Sequence, residues 1–113
     1  MTTSQTAVFS ALADPTRLTI VDLLAARGEL SASDISGVFT SSASAISQHL
    51  KVLREAGLVL VTKRAQKRIY QLNTATIGET ERWLQLRTRQ WNTRLDGMEA
   101  LIQRIDKGLD DDQ

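Results

Sequence analysis

Between Ser42 and Val59 the chain reads SASAISQHLKVLREAGLV, and the side chains able to do chemistry crowd into its first half. Ser42, Ser44, Ser47 and Gln48 bring hydroxyls and an amide, His49 is the single imidazole of the chain, and Lys51 and Arg54 follow behind. Serine is a mediocre helix former because its hydroxyl competes for nearby backbone groups. A helix start built this way offers short donors and acceptors backed by cations. From Ser47 to Gln71 six cations (Lys51, Arg54, Lys63, Arg64, Lys67 and Arg68) stand against one acid, Glu55. From Ile77 onward, acids outnumber cations. A basic patch on a nearly neutral chain points to a polyanion on one face. The plainer alternative is a solvated basic surface.

Bond-breaking chemistry fares poorly. The chain has no cysteine, which excludes thiol nucleophiles, disulfides, thiolate metal sites and direct thiol redox sensing. It has no Gly-rich phosphate loop of the Walker or dinucleotide type. A Ser-His-Asp triad would have to be built on His49, which projects toward the flank of its helix's core side, an awkward place for a general base. The expectation is a non-enzyme with no catalytic residue and no cofactor.

The elements that position these groups follow from local signals. A length of 113 residues suits a single domain over 1–113, and its composition is that of a soluble globular protein. The longest aliphatic run, Leu58 to Val61, is far short of a membrane span, and MTTSQTAVF lacks the features of a signal peptide. A cytoplasmic protein is expected, away from membranes. Beyond the acidic tail Asp110 to Asp112 there is no low-complexity segment. Thr6 to Ala13 reads as a short helix with Val8, Phe9 and Leu12 apolar. In ADPTRLTIVDLLAARG, Asp14 caps a helix, Pro15 takes its first position, Gly28 closes it, and Leu18, Val21, Leu24 and Ala25 form its core stripe. A brief extended piece around Leu30 precedes SASDISGVF, where Ser31 and Asp34 have capping-box spacing and Ile35, Val38 and Phe39 share a helical face. Thr40 to Ser42 turns into the helix quoted above, whose apolar side is Ile46, Leu50 and Leu53 and whose end is Gly57. LVLVTKR and KRIYQL then read as a β-hairpin turning at Ala65 and Gln66.

From Ile77 to Leu109 one long helix carries Leu84, Thr88, Trp91, Leu95, Met98, Ile102 and Ile105 at alternating steps of four and three, a coiled-coil seam. A chain this small has little core left to cover such a seam. The expectation is a second copy of the helix, the alternative being a helix folded back on its own domain.

The pattern ALADPTRLTIVDLL, then SAISQHLKVLREAGLV, then a basic hairpin ending RIYQL resembles the ArsR-type winged helix repressors over roughly Phe9 to Leu72. The resemblance implies a mainly α winged helix-turn-helix with one small β-hairpin, in the order α-α-α-α-β-β-α. The helix-turn-helix is placed at about 32–57, the wing at about 58–72 and a dimerisation helix at about 77–109. It also implies a homodimeric transcriptional repressor that binds a pseudo-palindromic operator in double-stranded DNA. Metal-sensing members carry a Cys-Val-Cys motif in the stretch here written ELSASDI, where Ser31 and Ser33 now stand. Neutral hydroxyls are poor ligands for soft metals. Another family site uses Asp and His on the last helix, which here has no histidine. No metal ligand is expected, and Ser31 is read as a helix cap.

In that setting the opening stretch becomes a recognition helix, presenting donors and acceptors to base edges with cations near phosphates. The candidate DNA-binding residues are Ser42, Ser44, Ala45, Ser47, Gln48, His49, Lys51, Arg54, Lys63, Arg64, Lys67 and Arg68. Gln48 suits an adenine edge, while Ser44 and Ser47 reach bases or phosphate. Ser42 is either a cap or a contact, and His49 is either a packed, hydrogen-bonded helper or a phosphate contact. The candidate dimer interface is Leu84, Trp91, Leu95, Met98, Ile102 and Ile105. Two other readings stand beside this one. One is a helical dimer docking onto an acidic protein; the other is the same repressor responding to a small apolar ligand near Trp83, Trp91 and Met98.

Overall fold

A computed structural model describes residues 4–111, with side chains to residue 108. Residues 1–3 of the opening stretch, and the side chains of the acidic tail, lie outside the described part. The elements are α1 (Gln5–Leu12), α2 (Pro15–Arg27), β1 (Leu30–Ser31), α3 (Ala32–Ser36), α4 (Ala43–Glu55), β2 (Val59–Arg64), β3 (Lys67–Leu72) and α5 (Thr74–Asp111). Residues up to Thr80 form one compact unit and those from Glu81 a second.

The helices of the first unit start where the caps stand. The side chains of Ser4, Asp14, Ser31 and Ser42 each accept the backbone N–H three residues on, satisfying a donor that would otherwise be orphaned. The carboxyl of Asp14 is held below the ordinary aspartate range, chiefly by the N–H of Arg17. A lowered native pKa means that this cap contributes fully above the ordinary range and is lost as acid titrates the native carboxylate. At the end of α4, Leu58 N–H reaches Leu53 O (3.0 Å) and Gly57 N–H reaches Arg54 O (2.9 Å). With Gly57 at φ 79°, this is a Schellman closure, which requires a left-handed residue.

The sheet is antiparallel in the order β1-β3-β2. The brief extended piece around Leu30 is therefore a true strand, pairing Leu30 with Tyr70 and Ser31 with Ile69. The hairpin pairs Arg64 with Lys67 across Ala65 and Gln66. Ala65 has φ 54° and Gln66 does not share the positive sign, the φ pattern of a type II′ turn, whose first position ordinarily holds glycine. Left-handed backbone costs an L-residue about 1–2 kcal/mol, whereas glycine loses about 0.4–1 kcal/mol through the unfolded chain. Ala65→Gly is expected to raise the unfolding free energy by roughly 0.5–1 kcal/mol, read from urea midpoints.

Val8, Ala11, Ile20, Leu24, Ile35, Ile46, Leu50, Leu53, Leu58, Val59 and Tyr70 make one core. Three expectations shift in detail. On α2 the buried face runs through Ile20 and Leu24, while Leu18 is exposed. On the same side, Arg17, one turn before Ile20 and Val21, turns inward to the α1 carbonyls. Helix α3 stops at Ser36, so Phe39 packs on the core from a turn and Val38 stays exposed. Helix α5 begins at Thr74 rather than Ile77, with Thr76 buried and the Thr80 hydroxyl donating to Gln5 Oε1 at 3.0 Å.

The second unit is the α5 helix from Glu81 onward. From Leu84 to Ile105 its large apolar side chains lie open in the single chain, from 42% exposure at Leu95 to 60% at Trp91, while Trp83 is half-buried. Arg87 stacks over the ring of Trp83, 4.0 Å from the centroid. Thr88 Oγ1 turns back to Leu84 O.

Candidate nucleic-acid interface

Helix α4 separates its two jobs by periodicity. Ile46, Leu50 and Leu53 are buried, while Ser44, Ser47, Gln48, Lys51 and Arg54 are exposed and Ala45 is half-buried between them. Ser44, Gln48, Lys51 and Glu55 follow i, i+4, i+7, i+11 spacing and share one face. The hydroxyl oxygen of Ser42 accepts Ala45 N–H at 3.1 Å, so the capping role is filled, and its own proton stays free to donate. The N–H groups of Ala43 and Ser44, in the first turn of α4, have no intrahelical acceptor, an arrangement that favours an anion.

The wing concentrates charge on two neighbouring rungs. Lys63 lies opposite Arg68, and Arg64 opposite Lys67. Like charges directly opposed destabilise an antiparallel pair. Lys63 and Arg68 continue the sheet face of Val61 and Tyr70, which packs on the helices; Arg64 and Lys67 continue the other face. Only one of these four cations is answered among the described residues. Arg64 Nη1 and Nη2 donate to the two carboxylate oxygens of Glu29 at 2.9 and 3.0 Å, and this raises the guanidinium's pKa. The bridge is exposed on both sides and ties the tip end of β2 to the residue before β1.

Behind the exposed face of α4 lies a network that no local sequence signal marks. Arg17 Nε donates to Ala11 O at 2.7 Å and Nη2 to Ser10 O at 3.3 Å, closing the C-terminus of α1. Its Nη1 reaches His49 Nδ1 at 3.3 Å, and Asp14 Oδ2 lies 3.8 Å from the same nitrogen. A guanidinium only donates, so Nδ1 accepts and the ring proton of neutral His49 sits on Nε2. His49 thus joins α4 to the junction of α1 and α2. Its Nε2 has no protein partner among the described residues. Arg17 stands in a stretch that reads as an ordinary exposed helix start, and nothing in its spacing marks it as inward.

The comparisons agree with this geometry. The model of the bacterial regulatory protein arsR family matches residues 14–61, from the cap of α2 into β2. Transcriptional repressor SdpR of Bacillus subtilis is 38% identical over 77 residues, which is 68% of this chain and 84% of that protein. The chain belongs to the arsR family. HTH-type transcriptional regulator Rv2034 of Mycobacterium tuberculosis is 37% identical over 94 residues, 83% of this chain and 84% of that one. Among solved structures, the ArsR-like transcriptional regulator from Rhodococcus sp. RHA1 has a TM-score of 0.77 at 32% identity, covering 86% of this chain and 91% of that chain. These relatives are transcription regulators rather than enzymes, and the winged helix-turn-helix with its long last helix is the arsR-family fold. Among the described residues, no helix is long and apolar enough to cross a membrane.

For an arsR-family chain, the start of α3 has a particular chemistry. Ser31 is buried, accepts Asp34 N–H at 3.1 Å and lies 3.2 Å from the Ser33 hydroxyl. Both side chains are neutral hydroxyls, and one is spent as a cap.

Proposed function

We propose that this arsR-family chain is a homodimeric cytoplasmic repressor that occupies a pseudo-palindromic operator and so blocks a promoter. The observation that carries this reading is the pairing of unanswered cations on the wing beside an exposed hydroxyl and amide face on α4. Like-charged rungs cost stability in isolation, and a polyanion laid across them removes the cost. Ser44, Ser47 and Gln48 are assigned to base edges, with Ala45 packing beside them; Ser42 and the α4 N-terminus are assigned to phosphate. Lys51, Arg54, Lys63, Lys67 and Arg68 meet the backbone, and Arg64 reaches DNA only by sharing its guanidinium with Glu29. His49 both holds α4 and offers its Nε2 proton toward phosphate. The apolar seam of α5, uncovered in the single chain, supports pairing with a second copy, which brings two recognition helices to two half-sites.

Selecting bound sequences from a random DNA pool with the purified protein tests the reading. An enriched pseudo-palindrome with half-sites about 34 Å apart, or a multiple of it, is expected; a pool that stays random defeats it.

The proposal extends to the signal. Stoichiometric zinc, cadmium or arsenite is expected to leave the operator complex intact in a mobility-shift titration, since Ser31 and Ser33 cannot act as thiolates. Tight, saturable zinc binding that dissolves the complex would count against it.

A further inference from the structure

Between α3, the first half of α4 and β3 lies an open cleft of about 500 Å³. Its polar lining includes Ser36, Ser47, Arg68 and Tyr70, and Ala43, Ile46 and Leu50 supply an apolar wall. Tyr70 is the informative member. It is only 6% exposed, and its hydroxyl has no hydrogen-bond partner among the described residues. No buried side-chain oxygen or nitrogen among those residues lacks a partner, so the Tyr70 hydroxyl keeps some contact with solvent. Tyr70 itself lines the cleft. Arg68, two residues earlier on the same face of β3, brings a guanidinium with no ion-pair partner to the same space.

We propose that this cleft binds a small organic carboxylate with a short apolar body, and that its occupation competes with the operator. The Arg68 guanidinium and the Tyr70 hydroxyl are donors for the carboxylate, with the Ser36 and Ser47 hydroxyls beside them. The apolar wall takes the body. A phosphate group alone would leave that wall and most of the volume unused, whereas small-molecule sites combine an apolar lining with a few convergent polar groups in volumes of roughly 300–1,000 Å³. None of the cleft's lining residues lies on α5. The competition rests on the assignment of Ser47 and Arg68 to DNA; the binding does not.

The test is an NMR titration of the whole protein, without DNA, using hexanoate, with hexanamide as the neutral control. Saturable shifts at Ser36, Ser47 and Tyr70 are expected, with hexanamide at least about tenfold weaker because it lacks the charge-assisted bonds. Tyr70→Phe keeps the ring in the core and removes only the hydroxyl, and Arg68→Gln removes the charge from an exposed site. Each is expected to weaken hexanoate by about tenfold, Tyr70→Phe with an unchanged melting temperature and Arg68→Gln with one no lower than the parent's, since it relieves the like-charged rung with Lys63. Shifts scattered over surface lysines, equal binding of hexanamide, or Tyr70→Phe binding like the parent would overturn the site. In a second arm, saturating hexanoate is expected to release the selected operator. Binding that depends on Tyr70 but leaves the operator in place would keep the site, overturn the competition, and remove Ser47 and Arg68 from the DNA face.

Discussion

Leu95→Glu is expected to leave the protein monomeric at micromolar concentration and to abolish operator binding at protein levels that saturate the parent. Leu95 sits at the middle of the seam that runs from Leu84 through Trp91, Met98 and Ile102 to Ile105, and it is the least exposed of these in the single chain. In a paired seam its side chain enters a dry interface. A carboxylate there has no partner, and an uncompensated buried charge costs about 3–5 kcal/mol. Twofold symmetry places a second copy in the same interface. At about 1.4 kcal/mol per factor of ten, the dimer dissociation constant should rise at least a hundredfold. A monomer holds one half-site only, so operator affinity falls with the dimer. Sedimentation velocity with and without operator reads both effects, and Leu95→Ala serves as a control that shortens the side chain without adding charge. If Leu95→Glu still sediments as a dimer, the interface lies elsewhere.

Gln48→Ala and Arg68→Ala should fail in different ways. Gln48 is exposed on the face of α4 shared with Ser44 and Lys51, where its amide can pair with an adenine edge. Losing one bidentate pair per half-site removes roughly 1–3 kcal/mol from the operator complex. Random DNA never made that pair, so its affinity should stay near the parent's. Arg68 is assigned to phosphate, which every sequence presents alike. Arg68→Ala should therefore weaken operator and random DNA together, and lower the slope of log affinity against log salt by about one unit per contact. Titrations of both variants on both DNAs at several salt concentrations separate the two patterns. Should Gln48→Ala weaken both DNAs equally while Arg68→Ala changes sequence preference, helix and wing have been assigned the wrong way round.

Local signals sufficed wherever the cause was local. The caps at Asp14, Ser31 and Ser42, the left-handed closure at Gly57, the hairpin about Ala65 and Gln66 and the long helix through Leu84 to Ile105 all rest on neighbours within a few residues, and each stands where the sequence puts it. The Ser42 to Arg54 face was legible for the same reason: one helical period sorts buried Ile46, Leu50 and Leu53 from the polar residues between them. What the sequence left open was decided by contacts between residues far apart in the chain. Leu30 and Ser31 are a strand only because Tyr70 and Ile69 lie beside them. Arg17 turns inward to the α1 carbonyls and so brings its guanidinium to His49. Glu29 claims one wing cation from 35 positions away. Tyr70 reads in sequence as an ordinary strand aromatic; only the packing of β3 against α3 and α4 places it beside Arg68 and Ser47 in a cleft. Periodicity reports which face of an element is apolar, but it carries no information about which polar group from a distant element will meet that face, because such a meeting is fixed by packing geometry.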